Sequence, residues 1–416
     1  MMTNFLNPYE GNCLIDRLRP IVSREDALKL LTQLPRMPGN VAALPIHVRV
    51  HYLIIMAREL HIATEEEAKL LETEDLMIRS GYYHRQPHCQ QIWSQIADEP
   101  ISRRPSKPSA MAALVSGHSG TGKSCAIQNT LATYDQVILH ETFPMCAHGL
   151  QQVVWLSVDV PASGKSADLA ITLMHAWDAL CGQDRFHSTN KGSRSNGMQL
   201  LTEWTQVATS QFLGILHLDE IQNLFKSPAL ARRRAKKKSD ERLELSLVED
   251  TCLKWCLNMT NAGLPLLFSG TPDGVAALTK RLATTQRFTT GGYHRFPYFE
   301  HASDINYRET FLPGLFQYQY VAKPLELSDR FAELFLELSG GVMRIMIALW
   351  VAAHRVAFER ETDDLTLADF INAASTFLAP LQPAIKALRS RDPSQIANFD
   401  DMLQQDEQFW ASFWTS

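Results

Sequence analysis

The sequence of 416 residues lacks several features that would assign it to a specialised class of protein. Its 7 cysteines include no pair spaced as CxxC, which argues against a zinc site and predicts reduced thiols packed in the fold. No apolar run approaches the roughly 18 residues of a membrane span, and the N-terminal segment has no apolar signal-peptide core. From these absences we expect a cytoplasmic protein with no membrane partner.

The chain also lacks an excess of positive charge, since 40 Lys and Arg against 45 Asp and Glu give a formal net charge of −5. Any contact with nucleic acid must therefore come from a local basic patch. Hydrophobic residues make up 45% and charged residues 20%, close to an average globular protein, which excludes a wholly disordered or collagen-like chain. The length predicts two or three domains.

The pattern of apolar residues changes along the chain. Residues 1–108 are predicted to form a helical N-terminal extension for partner docking that ends in a Pro-, Ser- and Arg-rich linker. Over 109–323, short apolar strands alternate with helical stretches, which is typical of an α/β core with a parallel central sheet. Residues 324–395 are predicted to be a small helical lid, and 396–416 form an acidic and aromatic tail.

The apolar runs also predict individual elements. Strands are expected at 112–116, 152–158, 212–218 and 264–269. Helices are expected at 45–60, 63–76, 125–133, 167–180, 243–259, 328–338, 342–358 and 367–378. Thr366 with Asp369 has the pattern of a capping box at the start of the last helix.

A phosphate-binding loop is the strongest motif in the sequence. Residues 117–124 satisfy G-x-x-x-x-G-K-[ST] between a predicted strand and a predicted helix. Backbone N–H groups of such a loop bind phosphate oxygens, Lys123 is expected to reach the β- and γ-phosphates, and the Ser124 hydroxyl is expected to bind Mg²⁺. The predicted cofactors are ATP and Mg²⁺. The expected nucleotide-binding residues are Gly117, His118, Ser119, Gly120, Thr121, Gly122, Lys123 and Ser124.

Two acids follow the third predicted strand, about 95 residues after the loop. Asp219 is expected to hold Mg²⁺ together with Ser124. Glu220 is expected to polarise the attacking water as the general base. The sequence therefore predicts an enzyme that hydrolyses ATP to ADP and phosphate with Mg²⁺.

Four further residues lie in or near the motifs of this predicted centre. Thr271, with Ser269 as the alternative, is expected to touch the γ-phosphate or the water from the end of the fourth strand. Arg344, in the first turn of a helix that follows a Gly-Gly pair, is expected to fold over the nucleotide. His217 is expected to be a packed core residue and not an acid–base group.

The order of these motifs resembles that of AAA+ ATPases, which implies a P-loop α/β fold with a small helical lid. Other blocks are similar to TnsC proteins, the ATPase regulators of TnsABC-type (Tn-seven-like) transposons in the TniB- and MuB-like superfamily. The resemblance extends over about residues 7–360. The similar blocks are 7–21, 44–49, 219–224, 270–272 and 315–320, and the specific parts are the N-terminal block and the block 315–320.

The resemblance implies ATP-dependent oligomerisation on double-stranded DNA, as a ring or a helical filament, in the bacterial cytoplasm. It also implies a linking role, in which a TniQ- or TnsD-type target selector recruits the chain and the chain activates the TnsA and TnsB transposase. Arg287 is the expected arginine finger, with Arg281 and Arg295 as rivals. The usual Arg-Arg and Gly-Gln-Gly-Asp-like stretch of the family is replaced here by residues 286–293.

A basic run after the acidic strand is the main candidate for DNA contact, through the backbone and not through base edges. Its residues are Arg232, Arg233, Arg234, Lys236, Lys237 and Lys238. Lys165, by family position, and the loop 191–195 are further candidates. The alternative is a solvated charged loop. The C-terminal tail is expected either to bind a partner or to pack on its own helices.

The leading prediction is an ATP-dependent, DNA-binding AAA+ regulator of transposition that assembles on target DNA. Hydrolysis by Glu220, with Arg287 of a neighbouring copy, would drive disassembly. A STAND-type signalling NTPase is one alternative, but it would carry sensor or repeat domains and none is visible in the sequence. An IstB- or MuB-like loader that remodels a DNA-bound partner is the other alternative.

Overall fold

The computed structural model describes residues 8–96, 109–186, 196–226, 246–280, 282–390 and 392–396, with residues 409, 410 and 413. The chain divides into two compact units. We call the first the α/β unit, and its described residues fall within Met1–Ser23, Lys69–Ser116 and Ser124–Arg295. We call the second the helical unit, and its described residues fall within Arg24–Ala68, Gly117–Lys123 and Phe296–Ser416.

A parallel sheet forms the centre of the α/β unit. The strands of the described chain are β1 (Ala112–Gly117), β2 (Val137–His140), β3 (Leu150–Val153), β4 (Trp155–Asp159), β5 (Ile215–Asp219), β6 (Phe225–Lys226), β7 (Ser246–Leu247), β8 (Leu266–Gly270) and β9 (Gly292–Phe296). The central sheet has the order β4-β5-β8-β1-β9. The pairs β4–β5, β5–β8 and β8–β1 are parallel, which confirms the parallel sheet predicted from the sequence.

The middle strands of this sheet are buried on both faces. Every residue of β1, β5 and β8 is buried, as expected for parallel strands covered by helices on both sides. In the register of β4 and β5, Asp159 lies opposite Asp219. Because the carboxyl ends of parallel strands meet at one edge, the residues that end these strands come together there.

Helices flank the sheet and supply the apolar core of the α/β unit. The core is centred on three tryptophans in successive edge contact, Trp177, Trp204 and Trp255. Beyond Glu65–Tyr83, which enters the unit at Lys69, the helices are Gln90–Ile96, Lys123–Leu131, Ser166–Cys181, Gly197–Ser210, Asp250–Asn261, Pro272–Leu278 and Leu282–Phe288.

The helical unit packs around Trp350, which is fully buried. The rings of Phe316, Phe331, Phe335 and Phe370 surround it at centroid distances of 5.2–6.3 Å. The α-helices of this unit are Arg24–Leu31, Ile46–Glu59, Leu312–Phe316, Asp329–Ser339, Met343–Phe358, Leu367–Thr376, Gln382–Arg389 and Pro393–Ile396.

The predicted capping box is present at the start of Leu367–Thr376, where Thr366 and Asp369 exchange hydrogen bonds with each other's backbone. As regards membrane spans, no single helix of the described residues combines the needed length with the needed apolar composition. The helices Asp329–Ser339 and Met343–Phe358 reach that length and composition only as a pair, across a bend of 111°.

Several predicted elements differ from those in the structure. The run 152–158 is not one strand, because β3 pairs antiparallel with β2 while β4 pairs parallel with β5. The strands β2 and β9 were not predicted. The predicted helix 243–259 begins only at Asp250, since Ser246 and Leu247 pair with β6.

The two units also cut across the domain boundaries expected from the sequence. Residues 24–68 of the predicted N-terminal extension belong to the helical unit, and residues 69–108 to the α/β unit as far as they are described. The loop residues 117–123 belong to the helical unit, although they lie within the range 109–323 that was predicted as the α/β core. The division of the chain by function therefore stays a prediction.

Candidate nucleotide-binding site

The phosphate-binding loop follows β1 and leads into the helix Lys123–Leu131, as its motif predicts. Gly120 and Gly122 have φ angles of +82° and +92°, in the left-handed region that only glycine adopts without strain. Thr121 closes the turn, because its N–H and its hydroxyl both donate to the carbonyl of His118, at 3.3 and 2.9 Å. Alternating conformations of this kind turn successive N–H groups inward, which makes a concave anion site.

A side chain at either of the two central glycines of the loop would crowd the residues packed against it. A Cβ on Gly120 would lie 2.9 Å from Cγ1 of Val342, and a Cβ on Gly122 would lie 2.9 Å from Cε of Met343. The backbone N–H of Arg344 donates to the carbonyl of Gly120 at 3.1 Å. The start of the helix Met343–Phe358 therefore holds the loop within the helical unit.

Arg344 is thereby placed beside the phosphate-binding loop, where the sequence predicted a nucleotide contact. Its side chain is exposed, and its guanidinium carbon lies 5.9 Å from the ring centre of Trp410. Within the loop, the ring of His118 lies 5.9 Å from that of Tyr298. Lys123 is buried, at 6% exposure. The nucleotide-binding roles of these residues stay predictions.

In the α/β unit, the two residues predicted to hold Mg²⁺ are in direct contact. The Ser124 hydroxyl donates to Oδ2 of Asp219 at 2.6 Å. The other oxygen, Oδ1, accepts from the Ser269 hydroxyl at 2.5 Å and from the backbone N–H of Glu220 at 2.8 Å. Three donors therefore hold one carboxylate at the end of β5.

These contacts determine the charge of Asp219. Burial raises the pKa of this carboxyl, but the interaction with His217 and the hydrogen bonds from Ser124, Ser269 and the Glu220 N–H outweigh burial, so the net pKa is lowered. Asp219 is therefore an anion at neutral pH. A carboxylate beside a serine hydroxyl is a donor set that suits Mg²⁺.

Glu220, the predicted general base, has an unusual backbone. Its φ and ψ angles are 56° and 40°, in the left-handed region, which costs a non-glycine residue roughly 1–2 kcal/mol. Its carboxylate accepts a hydrogen bond from Nε2 of Gln222. Oε1 of Gln222 accepts from the backbone N–H of Thr271 at 3.2 Å. Gln222 thus links the general-base candidate to the residue that follows β8.

The two candidates at the end of β8 make different contacts. Ser269 is fully buried and donates to Asp219. The Thr271 hydroxyl instead accepts from the Gly274 N–H at 3.4 Å and caps the helix Pro272–Leu278. The predicted contact of Thr271 with phosphate or water stays untested, and Ser269 is the residue that joins the Asp219 cluster.

Two residues of this cluster were missed by the sequence analysis. Asp159 lies opposite Asp219 at the end of β4, and burial, followed by the charge of Asp219, raises its pKa. Gln222 binds both Glu220 and Thr271. The signal for Asp159 was an acid at the end of an apolar strand. The only sequence signal for Gln222 was its position in the block 219–224, which is similar to TnsC proteins.

The predicted trans-acting and DNA-contacting residues are only partly described. Arg287, in the last turn of Leu282–Phe288, is exposed, as is its rival Arg295 in β9. Lys165 is exposed at the start of the helix Ser166–Cys181. The remaining predicted residues lie outside the described part of the chain: Arg232, Arg233, Arg234, Lys236, Lys237, Lys238, Arg281 and the loop 191–195.

The blocks that carry the family resemblance pack into the two units. In the α/β unit, Asn12 donates to the carbonyl of Tyr82, and the carbonyl of Leu14 accepts from Gln152. In the helical unit, Tyr318 is buried, and its hydroxyl donates to the carbonyl of Pro35 at 2.9 Å. Part of each block therefore packs into the fold, while other residues, such as Ile21 and Ile46, are exposed.

The described aromatic residues of the tail pack on the helical unit. Phe413 is buried at 4% exposure, and its carbonyl accepts from Nη1 of Arg355 at 3.5 Å. Phe409 and Trp410 contact the same hydrophobic core. Of the two alternatives for the tail, packing on its own helices is the one that these residues show.

Residues 107–278 match the model of a family described as an AAA domain. The solved structure of the Aeropyrum pernix Orc1 protein in complex with DNA has 12% identity and a TM-score of 0.39, over 79% of this chain and 81% of that chain. A likeness at that level supports no inference about function. No curated protein matches the chain by sequence.

The family match and the observed sheet agree with the sequence-based prediction of the fold. The chain has an AAA+ P-loop fold, with a parallel five-stranded sheet flanked by helices and a phosphate-binding loop after β1. The match supports an ATPase in general. The glycine cradle at Gly120 and Gly122 and the Ser124–Asp219 donor set fit a nucleotide phosphate and Mg²⁺.

Proposed function

We propose that this chain is an ATP-dependent regulator of DNA transposition that binds and hydrolyses ATP with Mg²⁺ and assembles on target DNA. The observation that carries the ATPase part is the cluster at the end of β5, where Ser124 and Asp219 share a hydrogen bond and Glu220 follows. Mg²⁺, when bound, neutralises phosphate charge and orients the nucleotide.

In this proposal, the residues of the candidate site have different roles. Lys123 and the loop N–H groups bind the phosphates, and Ser124 with Asp219 holds Mg²⁺. The Glu220 carboxylate, oriented by Gln222, takes the proton of the attacking water. Arg287, exposed on its helix, stabilises charge at a neighbouring copy's nucleotide.

The transposition part of the proposal has a different support. It rests on the similarity of residues 7–21 and 315–320 to TnsC proteins, which implies double-stranded DNA, a TniQ- or TnsD-type selector and the TnsA and TnsB transposase as partners. Contact with DNA through the basic run 232–238 and Lys165 belongs to the same proposal. Such binding would weaken steeply as salt is raised.

Assembly on a DNA duplex tests the proposal. Electron microscopy and light scattering would compare a non-hydrolysable ATP analogue with ADP, for the wild type and Lys123→Ala. ATP-dependent rings or filaments on DNA that are lost in the variant are expected. Oligomers that ignore DNA, or no response to nucleotide, would contradict the proposal and favour a signalling NTPase.

A salt series on the basic run separates DNA contact from folding. Replacing Lys236, Lys237 and Lys238 together with Ala is expected to abolish ATP-dependent DNA binding and to leave ATP binding unchanged, because none of these lysines belongs to the phosphate-binding motif at 117–124 or to the acid pair Asp219 and Glu220. Affinity for DNA would be measured at several salt concentrations. An affinity and a salt slope equal to those of the wild type would remove this run from the interface.

A further inference from the structure

A continuous chain of hydrogen bonds reaches Asp219 from the far side of β5. His217 is fully buried between two serines. Its Nδ1 lies 2.8 Å from the hydroxyl of Ser157, on β4, and its Nε2 lies 2.7 Å from the hydroxyl of Ser269, on β8. The Ser157 hydroxyl also accepts from Nε2 of Gln128 at 2.8 Å. The chain therefore crosses three adjacent strands.

The direction of every bond in this chain follows from its end at Asp219. An ionised carboxylate accepts only, so the single hydroxyl hydrogen of Ser269 points to Oδ1 of Asp219. Ser269 must then accept from His217, which places the imidazole proton on Nε2. Nδ1 consequently accepts from Ser157, whose own oxygen is left to accept from Gln128.

The chain closes on the helix that carries the phosphate-binding motif. Gln128 and Ser124 lie four residues apart on the helix Lys123–Leu131, and therefore on one face. Ser124 donates to Oδ2 of Asp219, while Gln128 starts the path that ends at Oδ1. A closed ring of bonds thus joins this helix to β4, β5 and β8.

We propose that His217 is a positioning residue that orients the Asp219 carboxylate for Mg²⁺ through this directed ring. The inference rests on the proposed nucleotide function and extends it to residues that touch neither nucleotide nor metal. A residue that only fills the core would need no fixed tautomer and no polar path to Gln128. Outer-shell partners of metal-binding carboxylates typically change metal affinity by about 10–100-fold when removed.

The first test needs no ligand. In ¹⁵N NMR spectra of the nucleotide-free protein at neutral pH, the imidazole of His217 is expected to carry its proton on Nε2. His354 is the internal control, because its Nδ1 lies 2.8 Å from the carbonyl of Trp350 and must donate, while its Nε2 accepts from the Tyr320 N–H. A proton on Nδ1 of His217 would break the ring and overturn the proposal.

The second test measures Mg²⁺ directly, as the Mg²⁺ concentration that half-maximally tightens binding of a fluorescent ADP. His217→Gln keeps a donor near the position of Nε2, whereas His217→Asn keeps its amide near Nδ1 and leaves Ser269 without its donor. We expect the half-maximal Mg²⁺ concentration of the Asn variant to be at least about 10-fold higher than that of the wild type. The value for the Gln variant is expected to lie below that of the Asn variant. His354→Gln is the control for a lost buried histidine.

Ser157 supplies the same test at a site that is only partly buried and does not touch Asp219. Ser157→Ala is expected to raise the Mg²⁺ requirement, and Ser157→Thr, which keeps the hydroxyl, to restore it. If Ser157→Ala and Ser157→Thr needed the same Mg²⁺ concentration, and His217→Asn and His217→Gln did as well, the positioning role of His217 would be overturned. The proposed nucleotide function would not be affected by that result. Wild-type protein that binds no nucleotide, or binds it independently of Lys123, would overturn the proposed function as well.

Discussion

His217 of the α/β unit and His354 of the helical unit are both fully buried, and the pKa of each is lowered to the same value. Their ring nitrogens nevertheless have opposite hydrogen-bonding roles. Burial lowers the pKa of each to about 4, and both are neutral at neutral pH. His217 lies between two rotatable hydroxyls that lead to Asp219. His354 lies between two backbone groups, the carbonyl of Trp350 and the N–H of Tyr320.

The two histidines differ in the kind of polar group that surrounds each of them. Hydroxyl and carboxylate side chains at the strand ends of the α/β unit bind one another and face one candidate centre. In the helical unit, the side chains of Trp350 and His354 instead bind backbone groups, as when Nε1 of Trp350 donates to the Tyr318 carbonyl at 3.0 Å. Burial alone therefore does not distinguish the two histidines; their hydrogen-bond partners do.

The largest expected effect is on catalysis at the α/β unit. Glu220→Gln removes the predicted general base, so ATP hydrolysis is expected to fall by about 10²–10⁴-fold while ATP binding is retained. Steady-state release of phosphate and binding of a fluorescent analogue measure the two quantities. Glu337→Gln, an exposed acid of the helical unit, is the matched control and should leave both unchanged. A Glu220→Gln variant that hydrolyses ATP at the wild-type rate would contradict the assignment.

A large effect on stability is expected in the helical unit. Phe413→Ala removes a buried ring of the tail and is expected to lower the free energy of unfolding by about 3–5 kcal/mol. Urea unfolding measures it, and Leu327→Ala, at a side chain 42% exposed, should change it by less than about 0.5 kcal/mol. If the two variants were equally stable, the tail would not be part of this core.

The pH dependence of stability follows from the buried histidines. Between pH 6.5 and about 4 the unfolded chain binds a proton at position 354 that the folded chain excludes, so stability is lost as the pH falls through this range. The loss is at most roughly 3 kcal/mol for each histidine. In urea unfolding at several pH values, His354→Phe should show a shallower decline than the wild type. Parallel curves would show that His354 titrates normally in the folded chain.

A smaller difference is expected between two tryptophans. Trp204 in the α/β unit has a buried Nε1 with no hydrogen-bond partner, whereas Nε1 of Trp350 donates to a carbonyl. Trp350→Phe leaves that carbonyl unsatisfied, so it should destabilise the protein by about 1–3 kcal/mol more than Trp204→Phe. Urea unfolding of both variants gives the comparison. Equal losses would mean that ring volume, and not the hydrogen bond, decides both.

Local patterns were enough to predict the elements that carry the candidate site. The strands β1, β5 and β8 are buried over their whole length, so their nearly continuous apolar runs located them in the sequence. The motif at 117–124 and the acids after β5 placed the expected phosphate loop and Mg²⁺ ligands, and the structure brings Ser124 and Asp219 together.

What the sequence did not predict depends on partners far away in the chain. β2 is short, and its pairing with β3 had no separate signature in the sequence. Ser269 and Thr271 are similar residues two positions apart, but Ser269 lies within β8 and donates to Asp219, whereas Thr271 follows the strand and caps the helix Pro272–Leu278. His217 was predicted to be a packed core residue, and it is buried, but its two serine partners lie 60 and 52 residues away.

The left-handed backbone at Glu220 sets stability against the general-base role that we propose for this residue. Asparagine adopts this conformation more readily than glutamate does, so a Glu220→Asn variant is expected to relieve part of the backbone strain. The same variant loses the carboxylate. Laboratory selection for heat resistance alone would therefore favour loss of the acid. Selection for turnover would keep it, and the protein would tolerate a less stable turn to do so.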